Sequence, residues 1–257
     1  MLGRHTRIVG FGLVAAVVVV PTYNEAANIE TLLRRIRAAA PAAQVVVVDD
    51  DSPDRTADLV AKLAVELDGI DVVRRPVKGG LGSAYRDGFA TALASGADVV
   101  VQMDADLSHD PAKLPALISA VEHGASLAMG SRYVPGGRIV GWSWKRRWLS
   151  RWGNRYAAGM LGLAVNDATS GFRAYDASAL AGLDLATVRA DGYGFQIEMT
   201  HRLVRRGGGV VEIPIVFADR THGESKLSGG IVREALGLVA RLAARDLFDG
   251  RRWRRAS

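Results

Sequence analysis

The chain has 257 residues, 49% hydrophobic and 23% charged, which suffices for one large α/β domain or two small ones and excludes a disordered or low-complexity chain. It contains no cysteine, so disulfides and thiolate metal sites are excluded and any metal must sit on oxygen or imidazole ligands. A formal net charge of +6 points to an anionic partner: nucleic acid, a phosphorylated metabolite or an acidic lipid surface.

The first 21 residues, MLGRHTRIVGFGLVAAVVVVP, have a basic start and an apolar stretch. The apolar run over 8–20 is shorter than the roughly 20 residues of a spanning helix, and it enters PTYNE without a small-residue cleavage site. The expectation is therefore a buried first strand over 14–20, with neither a signal peptide nor a transmembrane helix. Short apolar runs then alternate with amphipathic stretches. A helix is expected over 26–40, a strand at QVVVVD (44–49), and a helix in SPDRTADLVAKLAVEL with Ser52 as N-cap and Pro53 as its first residue. IDVVRR (70–75) precedes a Gly-rich turn and a helix to Ala94; DVVVQM (98–103) precedes a helix over 111–122; SLAMGS (126–131) closes the series. Strands alternating with helices predict right-handed crossovers and a mostly parallel sheet with helices on both faces.

Ligands bind outside the carboxyl ends of such strands. PTYNE (21–25), DDDSPD (49–54) and DADLSHD (104–110) each follow a strand, so all three clusters are expected on one sheet edge. Like charges held as close as Asp104 and Asp106 repel unless a cation or shared proton intervenes. An isolated D-x-D is most simply a solvated turn. Beside two other acidic strand ends, Mg²⁺ or Mn²⁺ bound with substrate phosphates is the better account, and a nucleoside diphosphate-sugar suits it.

The second half is less regular. Trp144, Trp148 and Trp152 share a four-residue spacing with Arg147, Arg151 and Arg155, which on a helix gives a Trp stripe beside an Arg stripe. Trp favours the headgroup level of a bilayer and Arg favours lipid phosphates, so this segment (139–163) is expected to face a membrane surface or a lipid acceptor. A helix from about Phe195, a strand over 210–220, and an amphipathic helix over 231–248 leading to the basic tail RRWRR (251–255) complete the chain. Nucleic acid would explain the basic clusters but not the acidic edge, and is not expected as a partner.

The segments VVPTYNEAANI, VVVVDDDSPDRT, KGGLGSAYRDGF, MDADLSHDP, GSRYVPGG, DATSGFRAYD and IPIVFADRTHGESKLS occur in this order over 18–228. Together they resemble the dolichol-phosphate (polyprenol-phosphate) mannose synthase group of family 2 glycosyltransferases. The resemblance implies a GT-A-type domain over 1–230, then an amphipathic helix and basic tail over 231–257. It implies mannose transfer from GDP-mannose to polyprenyl phosphate with inversion, for cell-envelope glycan or glycoprotein assembly. A polyprenyl-phosphate glucosyltransferase using UDP-glucose and a non-catalytic nucleotide-sugar-binding subunit are the alternatives. On the family pattern Pro21, Tyr23, Glu25, Val48 and Asp50 hold the guanosine. Asp104, Ala105 and Asp106 line the diphosphate, and Arg132, Arg220 and Lys226 grip phosphates, with Asp106, Arg132 and Arg220 at the catalytic centre. Asp104 and Asp106 are the expected metal ligands with Ser108, where some relatives carry Gln. The expected setting is peripheral, on the cytoplasmic face of a membrane, reached directly or through a membrane-protein partner.

Other candidates have plainer readings. KGGLGSA (78–84) lacks P-loop spacing and is expected as a tight turn shaping the donor pocket. His109 is expected in a turn hydrogen bond rather than on a metal. Asp167, Ser170 and Arg173 are divided between an acceptor-side role and structural hydrogen bonding, and Glu198 has only a weak claim to catalysis.

Overall fold

The valine runs build the middle of a sheet. In the computed structural model, which describes residues 14–219 and 229–248, β1 (Ala16–Thr22) lies between β2 (Gln44–Asp49) and β4 (Val99–Gln102), with β3 (Ile70–Arg74) outside β2. Beyond β4 come β7 (Arg173–Asp176), β5 (Leu127–Ser131) and β8 (Val210–Pro214), giving the order β3-β2-β1-β4-β7-β5-β8. Only β7 runs against the rest, antiparallel to both β4 and β5. A separate parallel pair joins β6 (Arg138–Ile139) to β9 (Val216–Phe217).

Burial on both faces explains why the strands read as unbroken apolar runs. Val17 and Val19 point into one core layer with α3 (Leu81–Ala94), α5 (Trp144–Leu161), α6 (Ala177–Ala181), α7 (Gly192–Arg205) and α8 (Gly229–Phe248). Val18 and Val20 point into the other, with α1 (Ile29–Ala39), α2 (Thr56–Glu66) and α4 (Leu114–Glu122). The C-terminal helix α8 packs on α5 and α7, and Val239 and Leu242 are buried in the first layer. Asp246 fastens it further, accepting from His201 Nε2 at 2.9 Å and from Arg205 at 3.0 Å.

Several expected boundaries shift for local reasons. Residues 26–28 form a turn before α1. Ser52 does not cap α2: its hydroxyl is spent on Asp49, and the helix begins at Thr56 after Arg55 in the left-handed region. Residues 111–113 form a 3₁₀ turn ahead of α4, and α7 starts at Gly192 because Asp191 caps it. The expected strand over 210–220 is two short strands, β8 and β9.

Gly88 on α3 faces the sheet, where an added Cβ would collide with Val19 and lie 3.0 Å from Val48. Gly88→Ala gains helix propensity of about 1 kcal/mol but must displace buried strand side chains. The expected outcome in urea denaturation is a net loss of about 1–3 kcal/mol; unchanged or raised stability would contradict this packing.

Candidate functional site

At the end of β1 the ladder to β4 has stopped at Val19 and Gln102. The Val19 carbonyl accepts from Met103 on that side, so Pro21 turns its missing N–H past the end of β4, where no ladder bond is lost. The β1 and β2 loops are then stitched together. Thr22 and Ser52 donate to the Asp49 carboxylate, the Asn24 N–H to Ser52, the Glu25 N–H to Thr56, and the Ala26 N–H to Asp54. This scaffold presents Tyr23 and Glu25 at the edge, with Lys78 Nζ 3.5 Å from the centre of the Tyr23 ring and Asn28 donating to Glu25 at 2.8 Å. Val48 is fully buried beneath them.

Asp50 is 5% exposed and engaged with the Gly-rich loop. It accepts from Gly79 and Gly80 N–H and from Arg75 Nη1 at 2.6 Å. Gly80 has φ +91°, and a Cβ there would press on Asp191, which itself accepts from Gly82 N–H. The loop is thus a tight turn held from both sides.

After β4 the acidic motif curls back. Leu107 adopts a positive φ of 60°, and Ser108 donates both its N–H and its hydroxyl (2.5 Å) to Asp106 Oδ1. Asp104 Oδ1 accepts from the Tyr85 hydroxyl at 2.7 Å. Burial, reinforced by Asp104, pushes Tyr85 well above its ordinary value, so it is a permanent neutral donor. A Cβ at Gly171 would lie 2.9 Å from Asp104 Oδ2, so glycine there keeps room beside that oxygen. Ala105 is buried between the two carboxylates. Buried His109 stacks on Phe172, and desolvation holds it below its ordinary value; its Nδ1 lies 3.5 Å from the Asp104 N–H.

Asp104 and Asp106 offer hard oxygen ligands, and the described residues contain no group of three or more His, Cys, Asp or Glu arranged to hold a metal. Two carboxylates completed by substrate and water oxygens are the habit of Mg²⁺. Ser108 orients Asp106 in this arrangement.

Arg132, at the end of β5, is 5% exposed. Its Nε and Nη2 reach Asp167 at 2.7 and 2.5 Å, and Nη2 also reaches Thr169 at 2.9 Å. Burial opposes this cation, but Asp167 outweighs it and raises the guanidinium above its ordinary value. Arg173 is fully buried and spends its donors on the carbonyls of Ala168, Ser170 and Gln196 and on Thr200. Asp167, Ser170 and Arg173 thus carry structural hydrogen bonds, and Glu198 pairs with Arg202 at 2.6 Å. Arg220 and Lys226, like the tail over 251–255, lie outside the described residues.

Helix α5 is N-capped by Ser143. Trp144, Trp148 and Trp152 are 71%, 62% and 43% exposed, a solvent-facing stripe rather than a core one. Trp142 is buried, with the Arg146 guanidinium 3.9 Å from its ring centre. An apolar groove runs between α5, α7 and α8, lined by Trp142, Trp152, Tyr156, Ile197 and Val239, and Thr169 forms part of its wall. Among the described residues no helix is long and apolar enough to cross a membrane.

Tyr85, Arg75, Asp191, Thr169 and Asn154 were not singled out from the sequence. Asn154 alone left a trace, as a polar residue on the inward side of an otherwise Trp- and Arg-patterned helix.

Residues 17–183 match glycosyl transferase family 2. The chain is 45% identical over 233 residues to the polyprenol monophosphomannose synthase of Mycolicibacterium smegmatis, covering 90% of this chain and 88% of that protein. It is 47% identical over 236 residues to the undecaprenyl-phosphate mannosyltransferase of Micrococcus luteus, covering 92% and 97%. Its fold is similar to the solved structure of glucosyl-3-phosphoglycerate synthase from Mycobacterium tuberculosis in complex with Mn²⁺, UDP and glucosyl-3-phosphoglycerate, with TM-score 0.67, 23% identity and coverage of 90% and 80%.

The stitching of the β1 and β2 loops has a pH signature. Burial raises the Asp54 carboxyl, but hydrogen bonds from Thr56 and Ala26 outweigh it and leave it below 3.8. A carboxyl lowered on folding stabilises the protein above its unfolded value, and that contribution fades as pH falls through the lowered folded value. Asp54→Ala is expected to cost about 1 kcal/mol near neutrality, allowing for solvent screening. The deficit should shrink below pH 3.8; denaturation curves showing the same deficit at both pH values would argue against the role.

Proposed function

The chain belongs to glycosyl transferase family 2, within its polyprenol-phosphate mannose synthase group, and on that premise we propose that it transfers mannose from GDP-mannose to a polyprenyl phosphate with inversion at the anomeric carbon. The observation that carries this reading is a juxtaposition. Gly171 packs beside Asp104 of the acidic edge suited to a nucleoside diphosphate, and two residues earlier Thr169 lines an apolar groove suited to a prenyl chain and accepts from Arg132.

On the donor side, Pro21, Tyr23, Glu25, Val48 and Asp50 surround the guanosine, with Asp50 also holding the Gly79–Gly80 backbone against it. Asp104, Ala105 and Asp106 meet the diphosphate. Asp104 and Asp106, assisted by Ser108, would hold Mg²⁺ or Mn²⁺, which when bound would supply positive charge to the diphosphate leaving group. Tyr85 and Ser108 each fix one of these carboxylates by a hydrogen bond. Arg132, Arg220 and Lys226 contribute cationic charge toward the phosphates, Arg through its planar fork.

The acceptor needs little activation. A phosphate monoester with a second pKa of about 6 is already largely ionised at neutral pH, so no side chain has to act as general base. Chain residues need only bring this anion to the face of the sugar opposite the diphosphate, against the repulsion between two phosphates.

A lipid acceptor requires work at a membrane surface, and in this reading the enzyme binds peripherally at the cytoplasmic face. The Trp144–Trp148–Trp152 stripe and its neighbouring Lys and Arg side chains supply the contact, alone or alongside a membrane-protein partner.

The test is transfer of radiolabelled sugar to a polyprenyl phosphate from GDP-mannose and, in parallel, from UDP-glucose. Mannose-lipid is the expected product, with GDP a stronger competitor than UDP; preferential glucosyl transfer would replace this reading with the glucosyltransferase. Asp106→Ala is expected to lower kcat by about 10²-fold or more, and full activity in that variant would remove Asp106 from the site.

A further inference from the structure

The loop over 166–170 hangs between two elements. On one side Glu212 of β8 accepts from the N–H groups of Asn166 and Asp167 at 2.8 and 3.0 Å. On the other, Asn154 of α5 accepts from the Thr169 N–H at 3.0 Å and donates to the Thr169 hydroxyl at 3.1 Å. Asn154 is 1% exposed, within a helix whose Trp stripe faces outward. A buried amide at such a position lowers helix propensity and is costly unless fully paired. Here Asn154 is paired through both side-chain atoms, its Nδ2 also donating to the Ser150 carbonyl at 2.9 Å.

The Thr169 hydroxyl is where this linkage meets the guanidinium. It accepts from Asn154 and from Arg132 Nη2, and its own proton points to Asp167 Oδ1 at 3.5 Å. Asp167 and Thr169 together fix the plane of the Arg132 side chain. Nε and Nη2 are consumed, and among the described residues Nη1 makes no hydrogen bond. Thr169 also lines the apolar groove, so the guanidinium is oriented from the groove's own wall.

We propose that Thr169, braced by Asn154, is the positioning residue that directs the Nη1 edge of Arg132 toward the phosphate of a prenyl phosphate lying in the groove. The inference deepens the reaction proposed above and rests on its assignment of the acceptor. It gives α5 a second role, because the helix that faces the lipid also sets the angle of the cation receiving the lipid's head. A purely structural clasp would make a different demand, since its loss would weaken every ligand of the groove alike.

Trp142 and Trp152 line the groove, so their fluorescence reports its occupancy. Full-length protein is titrated with a short-chain polyprenyl phosphate in detergent and, separately, with the parent polyprenol. The unmodified protein is expected to prefer the phosphate. Thr169→Val, which keeps the shape and removes the hydroxyl, should reduce that preference about tenfold while leaving the polyprenol Kd unchanged. Thr169→Ser should restore it, and Thr169→Ala serves if the valine variant does not fold. An undiminished preference in the valine and alanine variants, equal weakening of both ligands, or no preference in the unmodified protein would overturn the inference. Selective phosphate binding that depends on Thr169, in a protein that transfers no mannose, would uphold this inference and remove the proposed reaction instead.

Discussion

Negative charge crowded onto one rim of a parallel sheet has to be held in place by donors, and the architecture of the site follows from how that is done. Asp49 is held by Thr22 and Ser52, Asp50 by Arg75 and the Gly79–Gly80 backbone, Asp104 by Tyr85, and Asp106 by Ser108. Each carboxylate recruits a donor from its own or another loop, so the repulsion is converted into a set of ties among β1, β2, β4 and α3. Neutral donors predominate. That choice orients the oxygens without neutralising most of the carboxylates, as the proposed cation site requires.

The opposite strategy operates a few residues away. Arg132 and Arg173 are buried cations, one neutralised by Asp167 and the other surrounded by carbonyl oxygens. Removing one partner of a buried pair is far more damaging than the pair is stabilising, so such groups fix geometry rather than add stability. Arg173 grips the carbonyls of 168 and 170, the loop that also carries Asp167 and Thr169. The buried charge therefore serves the shape of one short segment, which holds Arg132 and forms part of the groove wall.

Much of this was legible in the amino-acid order. Valine runs such as 44–49 announce strands buried on two faces, and acidic clusters directly after them announce the edge where they meet; β2 and α3 fall where the pattern puts them. The strand β7 was illegible. Its sequence, RAYD, has no apolar run, and Arg173 belongs in a sheet only because carbonyls from elsewhere satisfy it. Ser52 misled for another reason: an N-cap residue is recognised by type, but the Asp49 carboxylate three residues earlier competes for its hydroxyl. Tyr85 and Thr169 escaped because a hydroxyl's partner lies 19 residues away in one case and 37 in the other.

The place of β7 has a consequence for how the protein comes to exist. β4 and β5 never pair with each other; β7, made more than 40 residues after β5 ends, is wedged between them and hydrogen-bonded to both. Until residues 173–176 leave the ribosome, one border of β4 and both borders of β5 stand unpaired, because β8 is made later still. Those borders are open to wrong pairing with neighbouring chains. This short, polar-looking piece of the sheet is thus its keystone, and synthesis that stalls ahead of it leaves a four-stranded β3-β2-β1-β4 sheet and a lone β5 that cannot join it.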